Sequence, residues 1–169
     1  ERTISRKKKV SDLYAELKKE GKEWKEEVDA RSEAEFRIKK LYLYYMQMGR
    51  CMYTGKPIDL ELLLKDNTAY DIDHIYPRHF ITDNNIDNNL VLVDKKKNSR
   101  KSDTYPIDQS IQENMSGLWK SLMKKGFLSK EKYYRLTRKT KFTEEEKAAF
   151  ISRQLVETRQ GTKAITQII

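Results

Sequence analysis

Cysteine is what this sequence has least of. Its single thiol, Cys51, excludes an internal disulfide framework and any cysteine-rich zinc knuckle, and it agrees with a reducing, cytoplasmic compartment. Cys51 itself reads as a small buried or half-buried residue rather than a reactive thiol. Apolar residues are also scarce: 37% is low for 169 residues, so a modest core with much exposed helix is expected. No apolar run is long enough to cross a bilayer and no charged-then-apolar leader opens the sequence, so no membrane partner is expected. Internal repeats and low-complexity tracts are absent. Negative charge is the minority, with 26 Asp and Glu against 35 Lys and Arg, for a net charge of +9. A polyanionic partner fits that balance, although many basic proteins bind none. The sequence starts at Glu1 and stops within an apolar helical pattern at Ile168 and Ile169, as expected of a piece cut from something longer.

Along the chain the pattern is mostly helical. Residues 1–32 carry dense mixed charge with a few apolar positions (Leu13, Leu17, Trp24, Val28), which reads as solvated helix or linker, with nucleic-acid contact as the alternative. From Glu33 to Met48 the positions Ile38, Leu41, Tyr45 and Met48 recur at helical spacing, and Gly49 sits where a helix would end. The tyrosines Tyr42, Tyr44 and Tyr45 fit core packing better than base stacking. Asp59 is placed to cap a short helix over 60–65. Tyr70 to Tyr76 alternates apolar and polar residues and reads as a strand ended by Pro77, and Leu90 to Val93 as a second strand after a polar loop. Asp94 is a suitable N-cap for a helix over about 95–101. Further helices are predicted from Ile107 to Gly126, after Ser129 through Arg138, and after a Thr143–Glu146 capping box.

The informative stretch is Tyr70-Asp71-Ile72-Asp73-His74-Ile75-Tyr76-Pro77, followed by Asn88 and Asn98. Phosphodiester hydrolysis needs an activated water, neutralisation of growing phosphoryl charge and help for the leaving oxygen. Magnesium supplies the last two and takes oxygen ligands from one or two protein groups. Asp73 offers a carboxylate and Asn98 a carbonyl oxygen, leaving His74 as general base, because imidazoles are partly neutral at physiological pH. Neighbouring strand residues face opposite ways, so Asp73 and His74 share a site only where the strand twists or ends. Asn88 suits holding the loop, and Asp71, on the strand face of Asp73, suits outer support. His79 reads as a surface or substrate-side residue. The cations Lys95, Lys96, Lys97, Arg100 and Lys101 fit phosphate contact, with plain helix surface as the alternative.

These residues resemble the HNH nucleases of the ββα-metal type. Leu41 to Arg50, Tyr70 to Ile75, Ile86 to Asn89, Lys101-Ser102-Asp103 and Arg153 to Gln160 are similar to the HNH domain and following linker of type II CRISPR effector nucleases, over roughly residues 36–169. The resemblance implies an α+β, mostly helical fold. A ββα-metal core at about 70–102 would hold a short two-stranded antiparallel sheet surrounded by helices. It implies a nuclease domain over 36–149, with 1–35 and 150–169 as linkers toward a RuvC-like domain of the same chain. The implied activity is cleavage of the DNA strand paired to guide RNA, in the cytoplasm of a bacterium, as antiviral defence. Asp73 and Asn98 would hold Mg2+, with Mn2+ as a substitute and no zinc. His74 would activate water, and Asn88, Asp71 and Lys101 would give support. Two departures stand out: Asn89 replaces a lysine of the relatives, and the stretch from Asn88 to Asn98 is one residue longer. A free-standing homing or restriction-type HNH endonuclease and a non-catalytic basic nucleic-acid-binding module remain as alternatives.

Overall fold

The computed structural model describes residues 3–96, 100 and 103–168, with side chains described as far as 157. The helix expected over 95–101, and with it Lys97, Asn98 and Lys101, falls mostly outside the described residues. Seven helices and one two-stranded sheet make up the described chain: α1 Arg6–Glu16, α2 Lys22–Asp29, α3 Lys39–Met46, α4 Leu60–Lys65, β1 Tyr70–His74, β2 Leu90–Asp94, α5 Gln109–Lys124, α6 Lys130–Thr137 and α7 Glu144–Ile168. This is the α+β, mostly helical architecture that the sequence implies.

The sheet is antiparallel, with Tyr70 opposite Asp94 and His74 opposite Leu90. β2 is buried along Leu90 to Val93, as its unbroken apolar run requires. At Leu92 its outer edge is met by the Gln47 side chain, with Met52 N also donating to Leu92 O at 3.2 Å. The Gln47 amide donates to Leu92 O at 3.0 Å and accepts from Leu92 N at 2.8 Å, doing for β2 what a third strand would do. The Cys51 thiol is buried beside the end of β2, where Sγ accepts from Asp94 N at 3.3 Å.

The helix behind the sheet is shorter and more deeply buried than its spacing suggests. A 3-10 turn at Glu35–Arg37 precedes α3, and every residue from Leu41 to Met46 is buried. Tyr14, Trp24, Phe36, Tyr44 and Tyr45 form one aromatic cluster with ring centroids 5.0–6.1 Å apart, so the tyrosine stripe is core. Gly49 ends this segment at φ 72°, and a Cβ there would lie 2.9 Å from the Trp24 ring, so glycine is needed twice over. The described part of the segment 1–32, expected as solvated helix or linker, instead packs its few apolar side chains into this core. Val10, Tyr14 and Val28 are completely buried, and Tyr14 Oη donates to Tyr45 O. The segment's dense charge hid the few apolar positions that do the packing.

The caps form as read. Asp59 accepts from Leu62 N, Ser129 from Lys132 N, and Thr143 with Glu146 closes the box at the start of α7. On α5, Ile111, Met115, Trp119 and Leu122 face inward at helical spacing. The Trp119 indole donates to Met52 O at 2.9 Å and so ties α5 to the segment beneath β2.

Candidate active site

β1 ends at His74, which lets the carboxylate and the imidazole share one rim. Asp73 and His74 line a cleft of about 160 Å3 together with Pro77, Arg78, Arg100 and Asp103. On the other side of the pleat, Ile72, His74 and Leu90 line a larger groove of about 390 Å3 with Lys39, Arg78 and Asn84. The alternation of the strand thus divides the surroundings in two, and His74 belongs to both.

Asp73 Oδ2 is held by two donors, Arg100 Nη1 at 2.5 Å and Tyr53 Oη at 2.6 Å. Burial pushes the Tyr53 phenol well above its ordinary range, so it stays protonated and donates. Burial alone would lower Arg100, but Tyr53 and Asp73 outweigh it and its pKa moves up, so the guanidinium stays charged. Among the described residues Oδ1 of Asp73 takes no hydrogen bond, and the side chain is 29% exposed. One carboxylate oxygen is therefore anchored, and the other is left without a hydrogen bond among the described residues, on a residue that lines the cleft. That donor set fits magnesium, which needs few protein oxygens and takes the rest from water and phosphate. No group of three or more His, Cys, Asp or Glu gathers anywhere among the described residues, so nothing there resembles a closed protein-only metal cage.

His74 is oriented from the loop between the strands. Asn84 Oδ1 lies 2.8 Å from Nε2. A carbonyl oxygen only accepts, so this contact is a hydrogen bond in the tautomer that carries its hydrogen on Nε2. That tautomer leaves no lone pair for Arg78 Nε, 3.4 Å from the same nitrogen, and the shorter contact to Asn84 is the one that decides, leaving the lone pair on Nδ1. The loop itself is clamped by one face of α6. Ser129 Oγ donates to Asp87 O at 3.0 Å, and Lys132 Nζ donates to the carbonyls of Ile86 and Leu90 at 2.9 and 2.5 Å. Arg135 Nη1 reaches Asp83 at 2.8 Å and Asn89 Oδ1 at 3.0 Å. Asp87 is gripped from the N-terminal side as well, by Tyr42 Oη and Lys9 Nζ.

The loop anchor is Asn89 rather than Asn88. Asn89 is fully buried; its Oδ1 accepts from Tyr76 N at 2.9 Å, and its amide donates to Tyr76 O and Asp83 O. Asn88 does less. It sits on the loop surface of α6, with its Oδ1 accepting from Ser129 at 3.0 Å.

The basic residues divide differently from the sequence reading. Arg100 is corrected from phosphate contact to internal support. It is 7% exposed, and besides Asp73 and Tyr53 it donates to the carbonyls of His74, Ile75 and Thr104. Its guanidinium holds the end of β1 together, and its small exposed part lies in the wall of the carboxylate cleft. Lys95 and Lys96 are exposed but follow Asp94, which pairs with Tyr70 at the far end of the sheet from His74. That is about 13 Å along the strand, and neither lysine lines either cleft. Asp71 makes no hydrogen bond to Asp73 among the described residues. His79 is exposed, with its ring tilted by 40° against that of Phe80, in keeping with a surface residue. Sequence reasoning missed Asn84, Asn89, Tyr53, Arg78 and Lys39, whose only signal was their closeness in the chain to motif residues or none at all.

Comparison with known proteins agrees with this geometry. Residues 51–107 match the HNH endonuclease family. The chain is 43% identical over 132 residues to the CRISPR-associated endonuclease Cas9 of Streptococcus mutans serotype c, covering 77% of this chain and 9% of that protein. It is 44% identical over 137 residues to Cas9 of Listeria innocua serovar 6a, covering 80% and 10%. Against Cas9 of Staphylococcus aureus it is 34% identical over 140 residues, covering 77% and 13%. The chain thus spans about a tenth of the length of these relatives.

Proposed function

We propose, of a chain that carries an HNH endonuclease domain like those of the Cas9 endonucleases, that it hydrolyses a phosphodiester of the DNA strand paired to guide RNA. It would do so as part of a longer bacterial, cytoplasmic protein that also holds a RuvC-like domain. The observation that carries this reading is the half-held site: Asp73 on the cleft wall with one oxygen anchored and one left without a hydrogen bond among the described residues, beside an imidazole whose Nε2 lies 2.8 Å from Asn84 Oδ1.

Nδ1 of His74 takes the proton of the attacking water, and the Asn84 carbonyl stabilises the imidazolium that results. Asp73 would hold one Mg2+ together with Asn98, which lies outside the described residues; Mn2+ would be an acceptable substitute. Bound there, the metal supplies charge neutralisation at the phosphoryl oxygens and stabilises the leaving oxygen. Arg100 and Tyr53 fix the carboxylate so that it does not turn when phosphate arrives, and the α6 clamp keeps Asn84 in place behind the base.

His74→Ala in the full-length enzyme should abolish cutting of the guide-paired strand while the domain unfolds at the wild-type denaturant midpoint. Mn2+ binding followed by electron paramagnetic resonance should be lost in Asp73→Asn. Undiminished cutting by the histidine variant would overturn the assignment. Salt-sensitive nucleic-acid binding with no role for Asp73 or His74 would make the chain a binding module instead.

A further inference from the structure

The groove on the His74 side of β1 carries charge of one sign. Its charged lining residues besides the imidazole are Lys39 and Arg78, and no carboxylate lines it. Both cations are exposed, and among the described residues neither forms an ion pair. Several surface cations in the neighbouring helices are occupied by comparison. Lys8 pairs with Asp12 and Lys25 with Asp29, while Lys40, next to Lys39, is spent on the carbonyls of Asn67 and Tyr70. The groove floor is apolar, from Ile72 and the buried Leu90, and its volume of about 390 Å3 is in the range of pockets that hold a small ligand. Arg78 also lines the carboxylate cleft, and its Nε lies 3.4 Å from His74 Nε2, so one guanidinium spans the boundary between the two.

We propose that this groove seats the nucleotide next to the scissile one, with Lys39 and Arg78 as the contacts to its backbone phosphate and Ile72 and Leu90 against its sugar. An unpaired lysine supplies a point charge and an unpaired arginine a planar fork, and both favour phosphate oxygens. The apolar floor excludes a free inorganic anion as the natural occupant, since half of the surface would find nothing to contact. The proposal rests on the reading of the site as a phosphodiesterase. It replaces Arg100, Lys95 and Lys96 as the phosphate contacts, because the first is buried and the others lie at the wrong end of the sheet.

The test is metal-free binding of a fluorescein-labelled DNA oligonucleotide, alone and annealed to complementary RNA, to this 169-residue chain in EDTA. Anisotropy is read across a salt series. Each backbone phosphate contact contributes about 0.7–0.9 to the slope of log affinity against log salt. The double variant Lys39→Gln, Arg78→Gln, which gives up that one phosphate, should therefore flatten the slope by about 0.7–0.9, and each single variant by less. A control pair, Lys18→Gln with Lys19→Gln, lies in the mixed-charge groove of α1 and α2 beside Glu26 and Asp29 and should keep the wild-type slope. An unchanged slope in the groove variant overturns the proposal. So does an equal loss in the control pair, or no measurable binding even at low salt. Because the assay contains no metal, failure of the Asp73 metal reading leaves its outcome untouched, and the two ideas fail separately.

Discussion

Lys132 offers the sharpest physical test of how the loop behind His74 is held. Its side chain is 4% exposed, and its amine donates to the carbonyls of Ile86 and Leu90, the two ends of the clamped segment. Burial drives its pKa from 10.5 down to about 7; Asp87 pulls it back up, and Lys9 adds to the fall. A drop of that size corresponds to roughly 5 kcal/mol between the charged and neutral forms, an upper figure for a real fold. The sign follows from proton counting. Between pH 7 and 10.5 the unfolded chain keeps the proton that the folded one releases, so stability is full at high pH and falls as pH drops toward 7. The slope approaches roughly 1.4 kcal/mol per pH unit, which gives about 3 kcal/mol between pH 7 and 9.5. Lys132→Met removes the titration but strands two carbonyls, at a cost of about 1–3 kcal/mol. The variant should therefore be less stable than wild type at pH 9.5 and should match or exceed it at pH 6.5. Urea unfolding followed by tryptophan fluorescence at four or five pH values measures this directly. Other titrating groups cancel in the difference between the two proteins. Parallel stability curves would refute the reasoning, because they would mean that the amine is hydrated or charged in the folded state across the whole range.

Three further outcomes are expected. Arg100→Met should cost about 3–5 kcal/mol in urea unfolding, because it leaves the Asp73 carboxylate and three backbone carbonyls without their donor, and Arg100→Lys should not restore it. Asn89→Ala should cost roughly 2–4 kcal/mol and speed exchange of the Tyr76 amide hydrogen, whereas Asn88→Ala should cost under about 1 kcal/mol; equal costs would mean that the loop is not pinned where we place it. Glu146 is held at about 2 by hydrogen bonds from Arg138, so its contribution is present above the ordinary carboxylate range near 4.5 and lost as pH falls through about 2. With its side chain 34% exposed, Glu146→Gln should cost only about 1 kcal/mol at neutral pH, a difference from wild type that vanishes in acid and is readable by circular dichroism melts.

Much of this protein was legible one residue at a time. The caps at Asp59, Ser129 and Thr143, the stop at Gly49, the hairpin strands and the inward face of α5 all follow from local rules, because the energies that decide them act within a turn or a strand. The Asp73–His74 pair was equally visible, since the chain places those two side by side. What could not be read was any contact between residues far apart in sequence. Arg100 looked like one more exposed cation in a basic run, and only the return of the chain to β1 buries it against Asp73. Lys95 and Lys96 sit near the motif in sequence, but strand register carries them to the other end of the sheet. Asn88 and Asn89 are indistinguishable as letters, and the pleat together with Arg135 from α6 decides which is buried. The sequence by itself determined the helices, the hairpin and the chemical groups at its turn. The tertiary structure decided which charges are inside, which oxygen of Asp73 is free and which cations flank His74, because those depend on packing between segments that no local spacing records.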